Sequence, residues 1–282
     1  YDGEGEFFDL GSWATAWKPH DNEGMPRAQI PARQDYRLDP DSQPVFRVEG
    51  HVRARDVRFH RLSGSDFDGR MSFSLYQGQP NLIVWNDVVT TVQGGRLTTS
   101  GDYFNGQLSM VTALEEVELP GLAGDLAAGG PVHGIFSGRI TGNMTLRKGF
   151  GRFATPWSGD GNLRIAGSRF VSNAVLGGLG RIIQFPIFDD ITFSNIHGPF
   201  RMEFPAFSTD GIVFENPFMN LRMEGTVGPE RRLDLSLRVQ FLRIADQVPF
   251  VGDMLAVFNR LAGSLLGFHI EGTIDEPRII PL

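Results

Sequence analysis

Leu233, Leu235, Leu237, Val239 and Phe241 alternate without a break with Asp234, Ser236, Arg238 and Gln240. Successive side chains of an extended strand point to opposite faces, so this period of two requires a strand with one apolar and one wet side. The pattern recurs along the chain. Phe46, Val48, Val52 and Ala54 oppose Arg47, Glu49, His51, Arg53 and Arg55, and the phase slips at Asp56, as at a bulge, so that Val57 and Phe59 take over. Met71, Phe73 and Leu75 alternate with Arg70, Ser72 and Ser74. Leu82–Val89 is a shorter apolar run closed by Gly94-Gly95. Leu108 and Met110 alternate with Gln107 and Ser109, while Ile140, Met144 and Leu146 share a side. Ile191–Phe193 and Gly198–Phe204 are expected as a pair, Ile212–Phe214, Leu221–Val227 and Leu233–Phe241 as a run of three strands, and Phe268–Ile274 as the last strand.

The 35 glycines and 17 prolines are scattered between these runs rather than gathered in one linker, so the fold class is mostly β with many turns. Wet outer positions imply an open sheet rather than a doubly buried one. About 14 strands spaced ~4.8 Å apart would extend roughly 65 Å.

Two segments break the alternation. Asn173–Gln184 places Val175, Leu176, Leu179, Ile182 and Ile183 on one helical stripe, with Asn173 as cap and Pro186 as stop. Gly177, Gly178 and Gly180 each cost such a helix roughly 1 kcal/mol relative to Ala, which close approach to a sheet would offset. Val251–Leu266 aligns Val251, Leu255, Phe258, Ala262 and Leu265 opposite Asp253, Asn259, Arg260 and Ser264, and Gly267 ends it. Residues 1–44, with Trp13 and Trp17 and the polar run Arg33–Asp41, read as an irregular arm or the end of a preceding segment. Residues 45–282 read as one β domain.

A short unit echoes through the chain: Glu49-Gly-His-Val52, Ser137-Gly-Arg-Ile140, Asp160-Gly-Asn-Leu163, Glu224-Gly-Thr-Val227 and Glu271-Gly-Thr-Ile274. Two readings fit it. A meander reuses glycine at strand starts, or a quasi-repetitive sheet grows along one axis.

The sequence is poor in the signatures of chemistry. A net charge of −7 removes the basic excess that phosphate-backbone binding needs, so nucleic acid is not an expected partner. The absence of cysteine excludes disulfides, thiolate metal sites and a thiol nucleophile. His20, His51, His60, His133, His197 and His269 have no metal spacing. Leu176–Gly180 lies inside a helical pattern, which defeats a phosphate loop. Asp189-Asp190 and Glu115-Glu116 alternate across a strand instead of converging, Asp66–Gly69 reads as a turn, and Asn143-Met-Thr145 falls within a strand. No enzyme activity, metal or cofactor is expected.

What remains is apolar strand face without enough second layer. Two helices of ~12 and ~16 residues cover only a few strands each. The rest must curl over itself or stay open to an apolar ligand, giving an elongated, curled antiparallel sheet around a taco-like open groove. The expected lining residues are Val48, Val52, Phe73, Leu75, Leu108, Met110, Ile140, Met144, Leu163, Ile165, Phe200, Met202, Leu221, Met223, Leu235 and Leu237.

The order Gly159–Ile165, the Leu176–Ile183 helix and Phe185–Phe193, followed by Phe200–Glu203, Asp210–Val213, Met223–Val227, Leu233–Leu237 and Glu271–Pro277, resembles the C-terminal region of AsmA-like and TamB-like proteins. The resemblance spans roughly 45–282 and is densest over 157–282. It implies a periplasmic protein of a diderm bacterium, anchored in the inner membrane, whose β-groove carries phospholipid acyl chains between inner and outer membranes. On that reading the chain is the end of a longer bridge lacking its N-terminal anchor, with membrane and envelope proteins as partners. One rival is a closed β-sandwich or barrel serving assembly or adhesion without ligand. Another is a carbohydrate-binding β-protein using Trp13, Trp17, Trp85 and Trp157 as stacking platforms.

Overall fold

The computed structural model describes residues 2–9, 43–59, 62–77, 79–126, 137–151, 154–171, 179, 182, 190–242 and 263–282. They form one sheet of 14 strands joined edge to edge in chain order. The first six are β1 (Asp2–Asp9), β2 (Phe46–Phe59), β3 (Leu62–Tyr76), β4 (Gln79–Val92), β5 (Gly95–Phe104) and β6 (Gln107–Glu118). A short helix, α1 (Leu119–Leu126), precedes β7 (Arg139–Gly149), β8 (Thr155–Val171), β9 (Asp190–Glu203) and β10 (Ala206–Glu215). The series ends with β11 (Met219–Val227), β12 (Arg232–Phe241), β13 (Leu265–Thr273) and β14 (Pro277–Pro281). From β2 onward every pair is antiparallel, whereas β1 pairs parallel with β2. β1 and β14 are the two edges, so the sheet is open.

Local chemistry explains the meander. Gln93-Gly94 and Asn105-Gly106 take positive φ at both central residues, the two-residue hairpin turn that matches strand twist. Within the strands, Asp66, Asp87 and Glu116 also adopt positive φ. Such irregularities bend a sheet and restart its alternation, so side chains on both sides of the break face the same way. Ala54 and Val57 are both buried for this reason, as are Leu114 and Val117. The expected phase slip at Asp56 is therefore present, and the sheet curls about its apolar side. α1 rests on β3 and β6, two strands that are not neighbours, and its Leu122 joins Val92, Leu114 and Val117 in one cluster.

Several expectations need correction. Residues 2–9 are a strand rather than irregular arm, while Leu10–Asp41 lie outside the described residues. The pair expected over 191–204 is the single strand β9, because the polar Asn195 and His197 simply occupy its wet side. Leu265 and Leu266, assigned above to a helix, open β13 opposite Gln240 and Val239; residues 251–262 of that helix lie outside the described residues. Of the helix expected at 173–184, the described residues are Leu179 and Ile182, both helical; Leu179 is buried and Ile182 exposed. Asp66–Gly69 is not a turn but part of β3. Glu115 and Glu116 do not alternate across the sheet: both are exposed, because Glu116 sits at a bulge. α1 and β14 have no counterpart in the sequence reading.

Candidate functional site: the apolar face of the sheet

Directly paired residues share a face, so register alone traces one side of the molecule. A single row runs Gly50, Met71, Trp85, Gly101, Met110, Leu146, Gly159, Met202, Phe207, Val227, Leu233, Gly272, Pro277, from β2 to β14. A parallel row runs Val48, Phe73, Ile83, Tyr103, Leu108, Lys148. A third runs Val117, Ile140, Ile165, Ile196, Phe214, Leu221, Val239, Leu266. Met144 and Phe200 meet across Gly161. Alternation along the strands adds Val52, Leu75, Leu163, Met223, Leu235 and Leu237 to the same side. Every lining residue expected from the sequence thus falls on one face.

The glycines on this face are floor tiles. A Cβ at Gly101 would lie 2.6 Å from the Trp85 ring and 2.8 Å from Met110 Cβ, and one at Gly161 would lie 2.1 Å from the Asn143 carbonyl oxygen. At Gly101 the Trp85 ring and the neighbouring strand fill the space a side chain would need, and at Gly161 the backbone of β7 does. This also accounts for the echoed unit: Gly50, Gly161, Gly225 and Gly272 all sit on the apolar face opposite Met71, Met144, Leu235 and Leu233. They lie mid-strand or near strand ends, whereas Gly138 of the remaining unit immediately precedes β7.

The two faces differ in charge. On the apolar side, at paired positions among the described residues from β2 to β14, Lys148 is the one charged residue. Three of the buried hydroxyls there are internally bonded: Thr90 donates to the Ser65 carbonyl at 2.9 Å, Thr209 to the Pro199 carbonyl at 2.7 Å, and Thr112 lies 3.3 Å from Thr99, whereas the buried Ser168 hydroxyl opposite Phe193 has no partner. Trp85 Nε1 donates to Thr99 at 3.4 Å. The opposite side is covered with ion pairs, among them Arg47–Glu49, Arg53–Asp68, Arg222–Glu224 and Arg278–Glu271. A dish of about 650 Å³ on that polar side is lined by Arg47, His51, Asp68 and Arg70 among others. His51 and Arg53 both bond Asp68; the His51 hydrogen bond is the largest cause holding that carboxyl below its ordinary range. His197 and His269 also lie beside carboxylates on this side, and His20, His60 and His133 fall outside the described residues. Among the described residues no group of acidic or histidine side chains is placed to hold a metal, and no helix is long and apolar enough to cross a membrane.

The apolar face divides by burial. From β9 to β13, Phe193, Ile196, Leu221, Leu235, Leu237, Val239, Phe241, Phe268 and Ile270 form one buried cluster with Leu179, and Phe193 meets Phe214 edge-on at 5.3 Å. From β2 to β8 the half of the face beyond the bulges is open: Val48 is 42% exposed, and Phe73, Leu75, Leu108, Met110, Met144 and Leu163 are half-buried. Leu221, Leu235 and Leu237, expected as lining, are instead fully packed, and Val52, Ile140, Met144, Ile165 and Met223 are partly buried against buried clusters. Trp85 and Trp157 share the open part; Trp13 and Trp17 lie outside the described residues. The aromatic and cationic edge was missed in the sequence reading. There Tyr103 meets Phe150 at 6.1 Å and Lys148 lies over the Phe150 and Trp157 rings at 5.5 and 5.2 Å. The scarcity of lysine, two in the whole chain, was the available signal. Comparison with family models, with curated proteins and with solved structures finds no match.

Proposed function

We propose that the chain is a non-enzymatic phospholipid carrier whose open apolar face receives acyl chains. The observation that supports this reading most is the apolar surface across β2–β8, half-buried and, among the described residues, free of charge except at Lys148. An aqueous surface of that kind is costly, and each acyl methylene laid on it recovers about 0.8 kcal/mol while the headgroup stays in water. The ion-paired outer side keeps the other face of the same strands wetted. The resemblance to AsmA-like and TamB-like proteins supplies the setting of this proposal: a segment of a bridge in the envelope of a diderm bacterium, tied to the inner membrane and passing lipid toward the outer one.

Native mass spectrometry of gently purified protein tests the reading. Bound phospholipid is expected on the wild type and absent from Met110→Asp, with the urea midpoint of the variant close to that of the wild type. A lipid-free wild type, or lipid lost only in step with the fold, would overturn it. Leu235 is the wrong place for this substitution: at 6% exposure a carboxylate there would unfold the strand before it reported on ligand.

A further inference from the structure

Lys148 is the exception on a face that carries no other charge at the paired positions among the described residues. It is the penultimate residue of β7, opposite Leu108 and half-buried, with its ammonium 5.2 Å from the Trp157 ring and 5.5 Å from the Phe150 ring. No described carboxylate forms an ion pair with it, whereas the arginines of the other face commonly have one. Ring faces attract a cation by roughly 0.5–2 kcal/mol, and they leave its N–H donors unspent. A cation placed among apolar side chains without a counter-charge is costly unless an anion completes it. The position matters as much as the charge. Along β7, Leu146, Met144 and Ile140 lead from Lys148 into the apolar face, so the ammonium stands at the end where the tails of an amphiphile would stop.

Resting on the carrier reading, we infer that Lys148 recognises the phosphate of a glycerophospholipid whose acyl chains lie over Leu146, Met110 and Met144. A lysine supplies a point charge rather than a bidentate fork, so it selects for negative charge and not for headgroup shape. The Trp157 and Phe150 rings position the ammonium, and their apolar bodies flank the glycerol region.

The test uses two lipids that differ by one phosphate, dioleoyl phosphatidate and dioleoylglycerol, offered together to the full chain from micelles of an uncharged detergent, with the bound ratio read by native mass spectrometry. The wild type should favour phosphatidate by about tenfold, the scale of one charge-assisted hydrogen bond. Lys148→Met should bring the ratio to near one while dioleoylglycerol uptake holds, and Lys148→Arg should keep the preference. A wild type without preference, or Lys148→Met retaining it while both lipids load, would overturn the role of Lys148 and leave the carrier reading standing. A wild type that loads neither lipid would defeat both.

Discussion

The inward residues of β12 and the first inward residues of β2 follow the same alternation and meet opposite fates. Leu233, Leu235, Leu237, Val239 and Phe241 are 0–6% exposed, whereas Phe46 and Val48 are 51% and 42% exposed. Both strands open with large apolar residues at inward positions; what differs there is the cover. β12 lies between Met219–Val227 on one side and Phe268 and Ile270 on the other, with Phe193, Phe214 and Leu179 folded over the same cluster. The first residues of β2 stand beyond the line of bulges and beyond α1. A period of two identifies a face, therefore, and the curvature of the sheet decides which part of that face is filled.

The largest expected effect follows from that contrast. Leu237→Ala should lower stability by about 2–5 kcal/mol through lost burial and a cavity, while Val48→Ala should cost less than about 1 kcal/mol. Urea midpoints of the two variants check this, and equal losses would erase the division between packed and open regions. Next in size is Gly161→Val. Its side chain would collide with the Asn143 backbone, so β7 and β8 must separate; a loss of about 1–3 kcal/mol and faster amide exchange along both strands are expected. An unchanged exchange pattern would mean that the floor glycines are not needed for close strand approach.

The outer face gives the smallest effects, and they have opposite signs. Burial raises the Asp102 carboxyl above its ordinary value, so its ionised form is disfavoured in the fold and stability falls as pH rises through that raised value. Asp102→Asn should stabilise the protein at neutral pH, by less than about 1 kcal/mol at so accessible a site. Asp68 is held low chiefly by its His51 hydrogen bond, with Arg53 assisting against desolvation, so its contribution is present above the ordinary carboxylate range and lost as pH falls through the depressed value. Asp68→Asn should therefore cost less than about 1 kcal/mol near neutrality and nothing at strongly acidic pH. Denaturation curves at pH 3 and 7 distinguish the two.

The strands were legible because each needs only local information. Alternation at 46–54, 71–75, 107–110 and 233–241 is enough to orient side chains, and the lining residues lie on stretches that the bulges leave in phase. The apolar–polar slip at Asp56 was readable for the same reason. Four things were not. β1 and β14 are edge strands with Gly-rich or Pro-bounded sequences, where periodicity is weak. Leu265-Leu266 fits a helical stripe as well as a strand until Val239 is brought opposite. The packing of Leu221, Leu235 and Leu237 depends on residues up to several strands away, which no window of sequence contains. Lys148 was passed over because its meaning is relational: it is a cation only by contrast with a face whose membership the register defines.

On the carrier reading proposed above, the open region from β2 to β8 holds fatty tails while the β12 region is filled by protein. A phospholipid with a photoreactive group in its acyl chain, loaded onto the full chain, irradiated and mapped by peptide mass spectrometry, tests it most directly. The account expects adducts on peptides containing Val48, Phe73, Met110 and Met144 and none on Leu233–Phe241. Adducts spread over the ion-paired face, or concentrated on β12, would contradict it.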